Sequence, residues 1–246
     1  MKYDIEKHLL PLTGAHNMRE LGGYPTRDGR FTKKGCFLRG DNTNHLTQSD
    51  IDFLRGYPVV LAVDLRSAGE LLKAPSLLEK VPDIHYKNVT MADEMNSNEF
   101  LGVFPDTMGE MYIDLLETSK IRFGRVFQLF TAHMHNGTCL FHCMAGKDRT
   151  GLVSMLLLEL ANVDDDIIIE DYAATQVFQE DLRIQQLEFL DQQGISVPER
   201  VLLSEPQNIE AALSHLRLRY GGARGYLKEC GIKNDDLDSL VWHFVE

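Results

Sequence analysis

Short apolar runs that end in polar residues recur along this chain, and they predict strands buried on both faces of a sheet. Residues 59–65 form one such run, which ends at Asp64-Leu65-Arg66. Thr138-Cys139-Leu140-Phe141 forms another, which continues directly into His142. A weaker alternation at residues 84–89 indicates a further strand, and the Arg-Asp-Gly-Arg turn within residues 24–32 predicts a hairpin.

Helices are predicted between and after these strands. Ser67 with Glu70, and Thr47 with Asp50, have the spacing of capping boxes, which mark helix starts. The segment from Thr150 to Ala161 is apolar on nearly all sides, as in a helix surrounded by protein. Residues 164–246 are predicted to form a helical cover, with breaks at Gly194, Pro198, Pro206, Gly221, Gly222 and Gly231.

The order strand, tight polar loop, buried helix around residues 138–161 is typical of α/β folds. In such folds the functional loops lie at the carboxyl ends of strands. The chain has no internal repeat, low-complexity tract or linker rich in Pro, Ser and Gly. We therefore predict an α/β fold in a single domain that covers residues 1–246.

The chain is acidic: 25 Lys and Arg stand against 37 Asp and Glu in 246 residues, a net charge of −12. Such a surface repels nucleic acids and anionic lipid, so we expect no nucleic-acid partner and no stable membrane association. The longest apolar stretch, residues 152–161, is shorter than the ~20 residues of a membrane helix. Residues 1–12 lack the apolar segment of a signal peptide, so a cytoplasmic location is expected. There the sparse cysteines would stay thiols: Cys36, Cys139, Cys143 and Cys230.

The loop from His142 to Gly151 holds the clearest candidate chemistry. Cys143 and Arg149 have five residues between them, a spacing that can wrap a loop around a tetrahedral anion. The N–H groups of such a loop point inward, the helix N-terminus adds positive charge, and a guanidinium binds two phosphate oxygens. The same field favours the thiolate of Cys143, a strong nucleophile. The predicted phosphate-binding residues are Met144, Ala145, Gly146, Lys147, Asp148 and Arg149.

These residues resemble a known family. The pattern His-Cys-x-x-Gly-x-x-Arg-Thr-Gly is the signature of the cysteine-dependent protein tyrosine phosphatase superfamily, and H-C-x-A-G-K-D-R-T-G is similar to its bacterial and fungal branch of dual or broader specificity. The resemblance covers nearly the whole chain, through Asn17-Met18-Arg19-Glu20-Leu21-Gly22-Gly23-Tyr24, Asp28-Gly29-Arg30, Arg39-Gly40, Asp64-Leu65-Arg66-Ser67-x-x-Glu70, Tyr220-Gly221-Gly222 and Gly225-Tyr226-Leu227. It implies a central, mainly parallel sheet flanked by helices, a strand-loop-helix active site, a phosphocysteine intermediate, and no metal or other cofactor.

The loop chemistry and the resemblance assign roles to individual residues. Cys143 attacks phosphorus in line, while Arg149 and the loop amides hold the equatorial oxygens. Lys147 adds positive charge to the rim, and His142 orients the loop as a structural neighbour. Thr150 either donates a hydrogen bond to the thiolate or serves only at the start of the helix.

The general acid is the open assignment. The superfamily's Trp-Pro-Asp loop has no counterpart here, because the only tryptophan is Trp242. Asp148 is the first candidate, since the resembled branch has aspartate there. Asp64 is the second, although it could instead pair with Arg66 or Arg149 and be structural. Two further aspartates rank lower, in a loop-like stretch that could close over the pocket: Asp93 and Asp106.

A soluble phosphoprotein is the expected substrate. Phosphoinositides, small phosphate esters, and a phosphate-binding module without turnover are the alternatives. Lipid phosphatases of the superfamily often carry two loop lysines, whereas this chain has Met144 at one of those positions and Lys147 at the other. That difference weakens the phosphoinositide alternative.

Other functions for this loop fit less well. Five residues suggest a zinc site, but strand alternation directs Cys139 and His142 to opposite sides; the five are His133, His135, Cys139, His142 and Cys143. A phosphate-binding Walker A loop requires Ser or Thr after its lysine, whereas Asp148 follows Lys147. A sulfurtransferase has no need of the Arg149-Thr150 pair.

Overall fold

A five-stranded sheet forms the centre of the computed structural model, which describes residues 4–91, 105–194 and 196–246. Its strands in chain order are β1 (Arg19–Glu20), β2 (Phe37–Gly40), β3 (Val59–Asp64), β4 (His85–Asn88) and β5 (Thr138–His142). Their order across the sheet is β1-β2-β5-β3-β4, and only β1 runs antiparallel to its neighbour among these strands. The expectation of a mainly parallel sheet is confirmed.

The parallel strands end together at one edge of the sheet. Their register pairs Gly40 with His142, His142 with Asp64, and Asp64 with Asn88. In open α/β sheets, ligands bind just outside these carboxyl ends. The loops that follow β2, β3 and β5 are therefore the ones that meet at a potential site.

Helices surround the sheet, and from Asp165 onward the regular elements of the described residues are all helical, as predicted. The α-helices are α1 (Gln48–Gly56), α2 (Ala68–Lys73), α3 (Met108–Thr118), α4 (Lys120–His133), α5 (Asp148–Leu160), α6 (Asp165–Phe178), α7 (Glu180–Gln192), α8 (Pro206–Tyr220), α9 (Ala223–Glu229) and α10 (Asn234–Phe244). Short 3₁₀ turns lie at Ile5–His8, Leu77–Lys80, Met134–Asn136 and Glu199–Val201. The α/β fold class is confirmed.

Both faces of the sheet are covered, but unequally. Cys139 and Phe141 of β5 are fully buried in the larger core, which also receives Phe127 of α4 and Leu156 of α5. Leu140 is fully buried in a smaller core on the other face, formed with α1 and the N-terminal segment. Because successive strand residues point to opposite faces, this two-sided burial explains why the central strands are continuous apolar runs.

Helices α1 and α2 begin where the sequence predicts. The capping boxes of Thr47 with Asp50 and of Ser67 with Glu70 are both formed. Helix α5 begins at Asp148, two residues before the predicted start, with Lys147 as its N-cap. Its first turn therefore starts inside the loop that carries the candidate chemistry.

None of the helices in the described ranges combines the length and the apolar character that a membrane span requires. The single domain over residues 1–246 and the cytoplasmic location stay predictions. The lower-ranked acid candidate Asp93 lies outside the described residues.

Candidate active site

The loop between β5 and α5 lies at the carboxyl edge of the sheet and lines a cavity of about 240 Å³. Cys143 follows β5 directly and is only 2% exposed. Helices α2, α3, α6 and α7 and the segment before α8 complete the walls. The lining residues are Glu70, Lys73, Met108, Met111, Cys143, Met144, Ala145, Lys147, Asp148, Arg149, Thr175, Gln176, Gln179, Leu182, Arg183, Gln186, Val201, Leu202 and Ser204.

Two side chains hold the carbonyl groups of the loop from outside it. Asn17 Nδ2 donates to the carbonyl oxygens of Ala145 at 2.9 Å and Gly146 at 3.3 Å, and Arg39 Nη2 donates to the Gly146 oxygen at 2.6 Å. In a trans peptide the carbonyl and the N–H point in opposite directions. Since the carbonyl groups of Ala145 and Gly146 point outward to Asn17 and Arg39, the N–H groups of Gly146 and Lys147 point to the inside of the loop. Within the described residues these two N–H groups have no acceptor. They are therefore available to an anion.

Gly146 is the point at which only glycine fits. Its φ of +68° lies in the left-handed region, which side chains rarely adopt. A Cβ there would also lie 2.5 Å from the Gly40 carbonyl oxygen and 2.9 Å from Asn17 Nδ2. The tight curvature of the loop thus depends on this residue.

Asn17 and Arg39 belong to a fully buried polar network centred on Asp171. Arg19 Nε donates to Asp171 Oδ1 at 2.9 Å, Tyr24 donates its hydroxyl to the same oxygen at 3.0 Å, and Arg39 Nη1 donates to Oδ2. Arg19 Nη1 also donates to the Asn17 side-chain oxygen. Burial alone would raise the pKa of Asp171, but Arg19 and Arg39 outweigh it and lower the pKa to about 2. The loop therefore rests on an ionised, hydrogen-bonded support.

Arg149 is fixed by a bidentate ion pair with Glu70 of α2. Its Nη1 and Nη2 donate to the two carboxylate oxygens at 2.6 and 2.7 Å. Burial would lower the pKa of Arg149, but Glu70 and the Cys143 sulfur raise it above its usual value. Nη1 also donates to the Leu65 carbonyl oxygen at 3.4 Å. Since a guanidinium has five N–H donors, Nε–H and one Nη2 hydrogen are left for phosphate oxygens.

Asp148 lines the cavity and has its carboxylate anchored on one side. Tyr112 donates to its Oδ1 at 2.5 Å, and the Tyr112 hydroxyl also contacts that of Tyr172 at 2.6 Å. The Asp148 side chain is 23% exposed, so it is accessible from the cavity. It is the carboxylate of the loop that faces the cavity.

Lys147 is buried and is neither a solvated lysine nor a simple rim charge. Its Nζ donates to the carbonyl oxygens of Val201 at 2.5 Å and Leu203 at 3.3 Å, and lies 3.3 Å from Asp148 Oδ1. These contacts fasten the loop to the segment that precedes α8. The lysine therefore joins two walls of the cavity.

Asp64 lies at the end of β3 and is fully buried in an ion pair with Arg66. Arg66 donates to its carboxylate through Nε at 2.9 Å and Nη2 at 2.6 Å, and the Tyr86 hydroxyl donates at 2.9 Å. Although burial opposes ionisation, His142 and Arg66 lower the pKa of Asp64. Burial also lowers the pKa of His142, although Asp64 acts in the opposite direction. Asp64 is not among the residues that line the described cavity.

His142 and Thr150, on either side of the loop, have different surroundings. His142 is fully buried, with Nδ1 3.3 Å from the Cys143 carbonyl oxygen and Nε2 3.5 Å from Asp64 Oδ2. Thr150 is fully buried in the first turn of α5, and its hydroxyl has no hydrogen-bond partner in the described part of the chain. Asp106 is exposed and lies outside the described lining of the cavity.

Several residues around the loop have contacts that sequence reasoning missed. Asn17, Arg19, Arg39 and Glu70 were visible as parts of the resembling segments, but nothing in the sequence indicated which groups they contact. Asp171 stands within a helical pattern without a distinguishing signal. The histidines and cysteines considered for zinc form no group of three or more potential ligands among the described residues.

Comparisons with known proteins agree with this geometry. A sequence profile described as the tyrosine phosphatase family matches residues 10–246. A tyrosine-protein phosphatase of Nostoc commune is 34% identical over 218 residues, which cover 83% of this chain and 72% of that protein. The triple specificity protein phosphatase PtpB of Mycobacterium tuberculosis is 26% identical over 274 residues, which cover 93% of this chain and 96% of that protein.

Among solved structures, a crystal structure of TpbA from P. aeruginosa matches 87% of this chain and 88% of that chain at 11% identity, with a TM-score of 0.38. That likeness is too distant to bear on function. The family profile and the relatives confirm the resemblance found in the sequence: the chain belongs to the tyrosine phosphatase family, as an enzyme of the protein-tyrosine-phosphatase type.

Proposed function

We propose that this enzyme hydrolyses phosphotyrosine in proteins through a phosphocysteine intermediate in the loop at residues 143–149. The observation that carries the proposal is the arrangement of donors in this loop. The Gly146 and Lys147 N–H groups have no acceptor in the described structure, and Arg149 is held beside Cys143 by Glu70. Preorganised donors of this kind stabilise charge that develops on transferring phosphoryl oxygens.

In the first step the Cys143 thiolate attacks phosphorus in line with the ester oxygen. The S–P bond forms as the P–O bond to the leaving group breaks, and Asp148 gives its proton to the departing oxygen. Arg149 and the loop N–H groups bind the three equatorial oxygens throughout. The products of this step are a free tyrosine hydroxyl and a phosphocysteine.

In the second step water attacks the phosphocysteine. Asp148, now a carboxylate, accepts a proton from that water, the P–O bond forms and the S–P bond breaks. Thr150, whose buried hydroxyl has no partner in the described residues, donates a hydrogen bond to the Cys143 thiolate as it leaves. Inorganic phosphate is released, and the enzyme returns to its starting state.

Apolar side chains around the loop favour an aromatic leaving group. Met108, Met111, Leu182, Val201 and Leu202 line the cavity together with the loop. A tyrosine ring buries apolar area against such walls, which the short side chain of phosphoserine cannot do. The name of the Nostoc commune relative, a tyrosine-protein phosphatase, supports the same substrate.

The proposal is tested by hydrolysis of p-nitrophenyl phosphate and of a phosphotyrosyl peptide. We expect wild-type turnover to persist in EDTA, and Cys143→Ser to reduce it to background while still binding the peptide, because serine is not ionised at neutral pH. Cys230→Ser is the matched control, since this buried cysteine lies at the end of α9. It should retain turnover.

Substantial activity of Cys143→Ser would overturn the proposed nucleophile. Loss of wild-type activity in EDTA, restored by added metal, would contradict the phosphocysteine mechanism. Hydrolysis of phosphoseryl peptides with a kcat/KM above that for phosphotyrosyl peptides would contradict the proposed substrate.

A further inference from the structure

A second cavity of about 530 Å³ adjoins the active-site cavity. Gln176 and Ser204 line both cavities, and the Ser204 N–H donates to Gln176 Oε1 at 3.4 Å where they meet. The two cavities therefore lie side by side, and a ligand bound in the first lies close to the second. The second cavity is therefore placed to bind a part of the substrate beyond its phosphate.

The two cavities differ in charge. The active-site cavity has four Lys or Arg residues in its lining, namely Lys73, Lys147, Arg149 and Arg183. Among the described residues that line the second cavity are three carboxylates, from Asp4, Glu6 and Glu170, and no Lys, Arg or His. Lys7 pairs with Asp4 at 2.8 Å, but the side chains of both are more than half exposed, so this pair is screened by solvent.

The walls between these carboxylates are apolar. The face of α6 contributes Ile169, Ala173, Ala174, Val177 and Phe178, and Ile5 and Pro206 complete the lining. Of these apolar side chains, Val177 is 68% exposed, so it is accessible to a ligand. A cavity with an apolar floor and a negative rim matches a side chain with an aliphatic stem and a cationic end, as in Lys and Arg.

Ser204 gives independent evidence that a polar ligand belongs here. It is only 1% exposed, and its hydroxyl has no hydrogen-bond partner among the described residues. A buried hydroxyl without a partner carries a free-energy cost. Its place at the junction lets a substrate's backbone supply the missing bond.

We propose that the second cavity binds a Lys or Arg side chain of a phosphorylated protein substrate, so that the enzyme selects phosphotyrosine with a basic residue close to it in sequence. The inference rests on the proposed function, because it places the phosphate at Cys143. The overall charge of −12 attracts such basic segments as well. The peptide that occupies the second cavity is thus one with basic, not acidic, residues close to its phosphotyrosine.

The test uses a set of phosphotyrosyl peptides that share one sequence. In each peptide one position, between four residues before and four residues after the phosphotyrosine, is replaced by Arg, norleucine or Glu. We expect Arg at one of these positions to raise kcat/KM roughly 2- to 10-fold over norleucine at low salt, as one or two solvent-exposed ion pairs would. Glu at that position should lower it. The preference should weaken as salt is added.

A double variant, Glu6→Gln with Glu170→Gln, should abolish the ratio of Arg to norleucine peptides. The matched control removes two equal charges from exposed positions elsewhere, Asp52→Asn with Glu79→Gln, and should keep that ratio. Since each ratio is measured within one enzyme preparation, general losses of activity cancel.

Each remaining outcome counts against the inference. Equal turnover of all peptides would overturn the second cavity's role but leave the proposed function intact. A preference for norleucine over Arg would show that the second cavity binds an apolar side chain, and it would overturn the proposed selection of a basic residue. Turnover of p-nitrophenyl phosphate without turnover of any phosphotyrosyl peptide would overturn both the proposed function and this inference.

Discussion

In the proposed mechanism, departure of the leaving group depends on Asp148. Its Oδ1 is held by Tyr112, and the rest of the carboxyl group remains accessible from the cavity. We expect Asp148→Asn to slow p-nitrophenyl phosphate by less than about 10-fold, and an alkyl phosphate by ~10²–10⁴-fold, because only the poor leaving group needs a proton. The fall in rate on the alkaline side of the pH profile should flatten as well. Steady-state kinetics with both esters measure both effects.

Asp64→Asn tests whether Asp64, the second candidate for the general acid, takes the role in place of Asp148. Asp64 is fully buried against Arg66 and does not line the described cavity. We expect its replacement to lower stability by about 3–5 kcal/mol, as breaking a buried ion pair does, and to slow both esters equally. A leaving-group dependence that follows Asp64→Asn and not Asp148→Asn would reverse the assignment.

The residues of the loop could be predicted because their chemistry is local. Cys143, Arg149 and Asp148 lie within seven consecutive residues, so one short pattern indicates the thiolate, the anion clamp and an acid. The partner of Arg149 could not be predicted in this way. Glu70 lies 79 residues earlier, and the sequence marks it as a helix-capping residue within a resembling segment without indicating that it contacts Arg149.

At the scale of elements, Glu70 has two functions at the start of α2. Its Oε2 accepts the Ser67 N–H at 2.7 Å, which completes the capping box, and the same carboxylate holds Arg149. Burial would raise the pKa of Glu70, but Arg149 lowers it, so the carboxylate stays ionised at pH 7. The position of Arg149 therefore depends on where α2 begins.

We predict that Glu70→Gln mainly lowers activity, whereas Ser67→Ala mainly lowers stability. Glu70→Gln should lower kcat/KM for p-nitrophenyl phosphate by roughly 10–100-fold, because a misplaced guanidinium costs transition-state stabilisation. Ser67→Ala removes the hydroxyl that accepts the Glu70 N–H but keeps the Glu70 carboxylate, and it should lower the free energy of unfolding by about 1 kcal/mol with nearly wild-type kcat/KM. Kinetics and urea unfolding of both variants test this. Wild-type kcat/KM in Glu70→Gln would show that the ion pair with Glu70 is not required to position Arg149.

Elements with strong local signals could be predicted from the sequence, and those without them could not. Pro206 begins α8, and Gly221 ends it in a left-handed conformation, as expected from the fixed φ of proline and the freedom of glycine. Strand β2, in contrast, was not predicted. It has only four residues, two of them Arg39 and Gly40, and its pairing with β5 is a tertiary contact.

At the scale of the whole molecule, the network around Asp171 joins three distant parts of the chain. Arg19 comes from the N-terminal strand β1, Arg39 from β2 and Asp171 from α6, and all three are essentially inaccessible to solvent. Through Asn17 and Arg39 the same network holds the carbonyl groups of the loop at residues 143–149. The fold and the proposed catalytic loop therefore depend on one buried charge cluster.

Removal of the Asp171 charge tests how far the fold depends on this network. Asp171→Asn leaves Arg19 and Arg39 buried without a carboxylate, which should cost about 3–5 kcal/mol. Asp28→Asn is the matched control. The pKa of Asp28 is also lowered to about 2, first by its hydrogen bond from Arg30, but its side chain is exposed, so its replacement should leave stability close to wild type.

The pH dependence of stability gives the sharpest form of this prediction. In the folded protein the pKa of Asp171 is about 2, below its value of about 3.9 in an unfolded chain. The charge therefore stabilises the fold fully above pH ~4, and this contribution of about 2 kcal/mol is lost as the pH falls toward 2. Urea unfolding from pH 7 to pH 3 should show the difference between wild type and Asp171→Asn shrinking on acidification. A difference that stays constant with pH would mean that Asp171 is not ionised in the folded protein, and the charged support proposed for the loop would have to be abandoned.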